Sequence, residues 1–210
     1  MRIHSLNIGE PQSMTRNGKT VTTSMNRTPV AEPTQLEILG FVGDKAANGK
    51  VHGGPDKAVC CYPMEHYPYF REKLAAPLDI PAFGENLTTE GLFESEVCIG
   101  DVFQIGRATV QISQPRQPCG TLALRNGNPE LPKWVNEKLY TGFYFRVLKP
   151  GIVRVHDAVK LIERPNAGAT VETLSIAMLN KQTPRGQIEQ WVALPELSQS
   201  WRETFTQRLG

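Results

Sequence analysis

The 210-residue chain is short of several things, and each shortage removes a class of function. No apolar run approaches the roughly 18 residues that a membrane span requires. Met1–Leu6 is followed by polar residues, so no secretory apolar segment is expected and the chain reads as cytoplasmic. Charge of one sign is not in excess: 23 Lys and Arg stand against 21 Asp and Glu, a net charge of +2. A dedicated nucleic-acid binder usually shows a basic excess or face, so no nucleic-acid partner is expected. Cysteine is scarce, with four residues and no CxxC pair, and the four histidines are scattered. A disulfide framework and a structural zinc site therefore have little support. Cys60 and Cys61 are adjacent, and on a strand they point to opposite faces.

Glycine (18) and proline (16) are plentiful, above the usual ~7% and ~5%. Most of them fall before residue 170, which predicts short strands separated by turns. Strands are predicted over 2–8, 19–25, 35–42, 57–62, 102–105, 108–113, 142–148, 152–155 and 158–163, with Gly106-Arg107 as a hairpin turn. Strands at this spacing suggest a barrel or sandwich. Helices are predicted over 65–75, with Pro68 in the first turn, and over 133–139 after Pro132. Beyond Pro165 the pattern changes. Thr170 caps a helix over 171–181, and Thr183-Pro184 opens another as N-cap and N1. Leu197, Trp201, Phe205 and Leu209 recur every four residues and mark a third, its stripe serving either as core or as a dimer contact. The fold class expected is mainly β, with domains over 1–165 and 166–210.

Four segments carry groups suited to chemistry. In Gln114-Pro115-Arg116-Gln117-Pro118-Cys119-Gly120, two prolines hold Cys119 on a stiff loop after a strand, and Arg116 lies three residues before it. A nearby cation favours the thiolate, which is a nucleophile or a soft metal ligand. The alternative is a buried cysteine acting as a small hydrophobe. In His52-Gly53-Gly54-Pro55-Asp56-Lys57-Ala58, the Gly-Gly-Pro turn either lets backbone approach a ligand or simply precedes a strand, capped by Asp56. In Phe83-Gly84-Glu85-Asn86-Leu87-Thr88, Asn86 is a donor to a ligand or an Asx-turn residue. Arg27, in Asn26-Arg27-Thr28-Pro29-Val30, suits an oxyanion or lies solvated. His66 is expected on a helix surface, and Arg146 either faces away from the core or enters a site.

Taken in order, these segments, together with Gly43-Asp44, Gly100-Asp101-Val102-Phe103 and Gly142-Phe143-Tyr144, make the chain resemble the YiiM-type proteins of the MOSC superfamily. The resemblance covers nearly the whole chain. It implies a MOSC-type β-barrel followed by a small three-helix domain. It also implies a molybdenum-pterin cofactor (Mo-molybdopterin), with Cys119 as the catalytic metal ligand and Arg27, His52, Asn86 and Arg116 near the cofactor. The activity implied is reduction of N-hydroxylated small molecules such as hydroxylaminopurine-type base analogues, a detoxification, with electrons from a separate flavoprotein. Two other readings stay open: a sulfur carrier or transferase with a Cys119 persulfide, and a non-catalytic cofactor-binding module.

Overall fold

The structure, a computed structural model, describes residues 1–16 and 18–210, apart from the side chains of Lys50 and Val51. No helix among the described residues is long and apolar enough to cross a membrane.

The strands are β1 (Arg2–Ile8), β2 (Gln12–Arg16), β3 (Lys19–Thr23), β4 (Thr28–Pro29), β5 (Thr34–Glu37), β6 (Gly40–Phe41), β7 (Val59–Pro63), β8 (Leu87–Glu90), β9 (Val102–Ile105), β10 (Ala108–Pro115), β11 (Phe143–Lys149), β12 (Gly151–Val153) and β13 (Val159–Glu163). The helices are α1 (Gly49–His52), α2 (Tyr67–Leu74), α3 (Gly120–Asn126), α4 (Leu131–Lys138), α5 (Val171–Leu179), α6 (Arg185–Val192) and α7 (Gln199–Gln207).

Eight strands form one sheet in the order β13-β9-β10-β11-β7-β8-β1-β4. The sheet curls into a half-barrel. Its first strand reaches the chain entering β13, through Ile3 N–H to Asp157 O at 3.0 Å and Val159 N–H to Met1 O at 3.0 Å. The pairings are antiparallel except β7 with β8, which run parallel. Inward residues such as Ile3, Phe103, Ile112, Phe143 and Phe145 make the core, and Val171, Leu174, Trp201 and Phe205 of the C-terminal helices belong to the same apolar cluster. The Leu197–Phe205 stripe is therefore core and not a dimer contact: all three residues are buried. Short helices gain most of their stability from such packing. Thr170 caps α5 as predicted, its side chain accepting from Thr173 N–H at 3.0 Å.

Several expectations need correction. The 35–42 run is two short strands, because Gly40 turns the chain at φ +130°, where a Cβ would sit 2.9 Å from Ala58 O. Strand β3 stops at Thr23 and pairs with β2, which the mixed composition of Gln12–Arg16 had hidden. The stretch 87–90, where no strand was predicted, is strand β8 in the interior of the sheet, between β7 and β1. Helix α3 was not foreseen behind a Pro-Cys-Gly sequence. Pro132 lies inside the first turn of α4, not before it, and Pro184 is the N-cap of α6 in place of Thr183. His66 is not on a helix surface: it is buried, with its ring stacked on Tyr140 at 3.7 Å and Nε2 2.7 Å from Glu94 Oε2.

Candidate functional site

A cavity of about 320 Å³ lies against the face of β7 and β11 that is turned away from the apolar core. Its groups arrive from separate elements. Strand β7 places Cys60, strand β11 places Tyr144, and the turn before β8 brings Phe83, Gly84 and Asn86. The loop leaving β10 brings Arg116, Gln117 and Cys119; the hairpin β2–β3 and the chain beyond it supply a wall from Val21 to Met25, then Arg27. Alternation along β7 works as expected, for Cys60 lines the cavity while Cys61 is in the apolar core.

All five residues singled out from the sequence, Arg27, His52, Asn86, Arg116 and Cys119, line this one cavity. Their states differ. Arg27 is committed: its Nε and Nη2 fork onto Asp44 Oδ1 and Oδ2 at 2.7 and 2.8 Å, and its Nη1 donates to Gly84 O. It is not solvated. Asn86 is also committed, accepting Cys60 N–H at 3.0 Å and donating to Asn7 O at 3.3 Å, so its amide ties β7 to β1. Neither interaction is an Asx turn.

Arg116 stands apart. Its backbone N–H donates to Gly142 O at 3.0 Å and its Nη2 to Phe83 O at 2.7 Å. Its Nη1 is buried and has no partner among the described residues. A buried charged donor without an acceptor costs more than the ~1–3 kcal/mol of a neutral one, so such a group is stabilised by an incoming anion. The lining contains no Asp or Glu among the described residues. His52 is held below its ordinary value by burial, with Lys57 and Arg116 adding to the effect. Burial also lowers Lys57, partly offset by Asp56. Burial raises Tyr144 and Cys60, so both stay protonated near neutrality, Cys60 against the opposing pull of Arg116 and Arg27. Cys119 is half-buried, reduced and at the N-cap of α3. Among the described residues no group of three His, Cys, Asp or Glu converges as a metal cage. A metal at Cys119 would therefore have to bring ligands of its own.

Sequence reasoning gave no site role to Cys60 or Tyr144, which line the cavity with Lys57 of the Gly-Gly-Pro segment. Tyr144 had a signal: it alternates with the buried Phe143 and Phe145, and so faces the other side of β11. Gly142 sits at φ +69°, where a Cβ would be 2.5 Å from Cys61 O, which fixes how closely β11 approaches β7. Arg146 does not line the cavity. Its Nε and Nη2 hold Asp56 Oδ1 at 3.0 and 2.7 Å, and Asp56 Oδ2 in turn accepts Gln199 N–H at 3.1 Å. Asp56 thus joins the Lys57 turn to α7 instead of only capping its own strand.

Residues 48–160 match the family model of the MOSC domain, and residues 170–209 that of the YiiM-like, 3-alpha helix domain. The chain belongs to the MOSC family. As a MOSC protein it is 44% identical over 204 residues to the uncharacterized protein YflK of Bacillus subtilis, covering 97% of this chain and 92% of that one. A protein of Gibberella moniliformis named Reductase is 34% identical over 152 residues, 70% of this MOSC chain but 27% of its own length. The crystal structure of YiiM from Geobacillus stearothermophilus superposes with a TM-score of 0.86 at 38% identity, covering 100% of this chain and 99% of that one. The half-barrel and the three terminal helices are thus the YiiM architecture, and the family is of the type associated with a molybdenum cofactor.

Proposed function

We propose that the protein is a molybdenum-cofactor-dependent reductase of N-hydroxylated compounds, a detoxifying enzyme of the cytoplasm. The observation that carries the reading is the cavity's charge pattern: a free cysteine beside a buried guanidinium nitrogen that lacks an acceptor, in a wall without carboxylates. An anionic pterin bearing a soft metal fits that donor set. Cys119 would supply the protein sulfur to the metal and Arg116 would hold the anionic part, with His52 and Asn86 alongside. Arg27 would shape the wall through its fork onto Asp44 and would lend its remaining N–H groups. When bound, the group supplies a two-electron centre.

The overall change, R–NH–OH + 2 e⁻ + 2 H⁺ → R–NH₂ + H₂O, needs electrons from outside, for which we propose a separate flavoprotein. The chain's residues do the rest. His52, lowered by burial, is neutral near neutrality and offers a hydrogen-bonding nitrogen, not a further cation. Tyr144 keeps its proton and stays a donor. Cys60 is buried on β7 while Cys119 is half-buried on its loop, which favours Cys119 as the sulfur for ligation. The named relative Reductase is consistent with this direction of chemistry.

The test is elemental analysis and reductase assay, with an artificial donor, on protein purified from cofactor-producing cells. Molybdenum and activity are expected together, and both are lost in Cys119→Ser. Full activity in that variant would overturn the reading. A stable extra sulfur on Cys119 by mass spectrometry would favour a sulfur carrier, and bound cofactor without turnover under any donor a binding module.

A further inference from the structure

A second cavity, of about 270 Å³, lies behind Arg116-Gln117-Pro118, against α5 and α7. A third hollow, a cleft of about 360 Å³, is separate from both and shares no lining residue with either among the described residues. It lies where the last turn of α3 meets the chain that leaves α2: Arg125 and Asn126 come from α3, Leu74 from α2, and Pro77 and Asp79 from the loop beyond it. Helix α2 stops at Ala75, which takes the left-handed conformation at φ +48°. The loop is then tied back by Arg71, whose Nε and Nη2 donate to Leu78 O at 3.3 and 3.1 Å.

Arg125 sets the chemistry of this cleft. The Nε–Nη2 edge of a guanidinium is a planar fork that matches the two oxygens of a carboxylate. Arg27 and Arg164 close that edge on Asp44 and Asp101, and Arg146 closes it on Asp56. Arg125 engages only its other nitrogen, Nη1, which donates to Ala82 O at 2.8 Å. Its Nε is buried with no acceptor among the described residues, and its Nη2 makes no hydrogen bond there either. Burial lowers Arg125 from its ordinary value, against the opposing pull of Glu85, Tyr67 and Asp79, none of which is in hydrogen-bond contact with it. Asp79 lines the same cleft, is exposed, and forms no hydrogen bond or ion pair among the described residues. With Leu78 tied down, Asp79 stops short of Arg125. A cation and an anion held apart in one cleft, beside the apolar surface of Leu74 and Pro77, are complementary to a zwitterion with an apolar tail.

We propose that this cleft binds a free α-amino acid with an apolar side chain. Its carboxylate takes the Nε–Nη2 edge of Arg125, its ammonium faces Asp79, and its side chain lies on Leu74 and Pro77. The site is distinct from the Cys119 cavity and does not depend on what that cavity holds. The two are neighbours all the same. Arg125 stands in the last turn of the helix that Cys119 caps, and it holds Ala82 O while Arg116 holds the next carbonyl, Phe83 O, at 2.7 Å.

The experiment is titration of the full chain with L-leucine, followed by calorimetry and by the proton–nitrogen correlation signal of Arg125 Nε, which is identified by its loss in Arg125→Lys. Leucine is expected to bind with a dissociation constant below about 10 mM. The Nε proton signal moves downfield as an acceptor reaches it. Arg125→Lys keeps the charge without the fork and weakens binding at least about tenfold. In that variant Asn126 Nδ2, 3.0 Å from Ala82 O, still holds the turn. Asp79→Asn, at an exposed position, weakens leucine about fivefold and leaves isocaproate, which lacks the ammonium, unchanged. Cys119→Ser leaves leucine affinity within about twofold. No binding to the wild-type chain, binding unchanged in Arg125→Lys, equal binding of isoamylamine, which lacks the carboxylate, or isocaproate binding as tightly as leucine would each overturn the proposal. Loss of leucine binding in Cys119→Ser would do so too, by placing the ligand in the other cavity. Leucine affinity and molybdenum content are read separately, so the failure of either proposal is visible without the other.

Discussion

The carboxylates buried in this molecule and the arginine buried at its cavity answer the same physical problem in opposite ways. Glu85 accepts from the Tyr67 and Thr88 hydroxyls and from Phe83 N–H. Glu94 takes His66 and Gly142 N–H, and Asp101 takes the Arg164 fork and Cys98 N–H. Every one of these charges is answered from within the chain. Arg116, equally buried, is answered at Nη2 and left open at Nη1. Charges satisfied internally hold a fold; of the buried arginine nitrogens without an acceptor among the described residues, Arg116 Nη1 belongs to a residue lining this cavity, while Arg125 Nε and Arg202 Nε do not. Arg27 and Arg116 make the contrast within one cavity, the first spent on Asp44 and the second not.

The comparison can be broken by substitution. Glu85→Ala leaves three buried donors without an acceptor and is expected to cost about 3–5 kcal/mol of stability in urea unfolding; a loss below about 1 kcal/mol would show that the network is not structural. Arg116→Met is expected to change the stability of the cofactor-free chain by no more than about 1 kcal/mol, since it removes one hydrogen bond together with one unpaid desolvation. The same variant should fail to retain molybdenum. A large loss of stability would instead place Arg116 with the carboxylates.

The smallest effect is at the surface. Glu90 is pulled from its ordinary 4.5 to about 2 by hydrogen bonds from Arg2 and His4. A carboxyl depressed on folding adds stability that is present above about 4.5 and is lost as pH falls towards 2. Arg2→Ala should flatten the pH dependence of unfolding within that window and leave it unchanged near pH 7. Since the pair is exposed, the difference should also shrink with added salt.

What could be read from the sequence followed the strength of local signals. Strands β9 and β10 announced themselves by β-branched residues around Gly106-Arg107, and α5 by its Thr170 cap. The five candidate residues converge because each sat in a segment dense with Gly, Pro and polar groups. Strand β8 did not show, since Leu87-Thr88-Thr89-Glu90 has one large apolar residue and is buried by its central place in the sheet, a tertiary fact. His66 misled for the same reason: its partner Glu94 is 28 residues away. The engagement of Arg27 with Asp44, and the want of an acceptor at Arg116, depend on side-chain angles that no spacing encodes.

The strip Arg116-Gln117-Pro118 is a single thickness of chain with a hollow on either side. A party wall of that kind cannot be moved for one room alone. A substitution in that strip reshapes both hollows together, whereas one in the β2–β3 hairpin or on the face of α5 bearing Ser175, Met178 and Leu179 alters a single hollow.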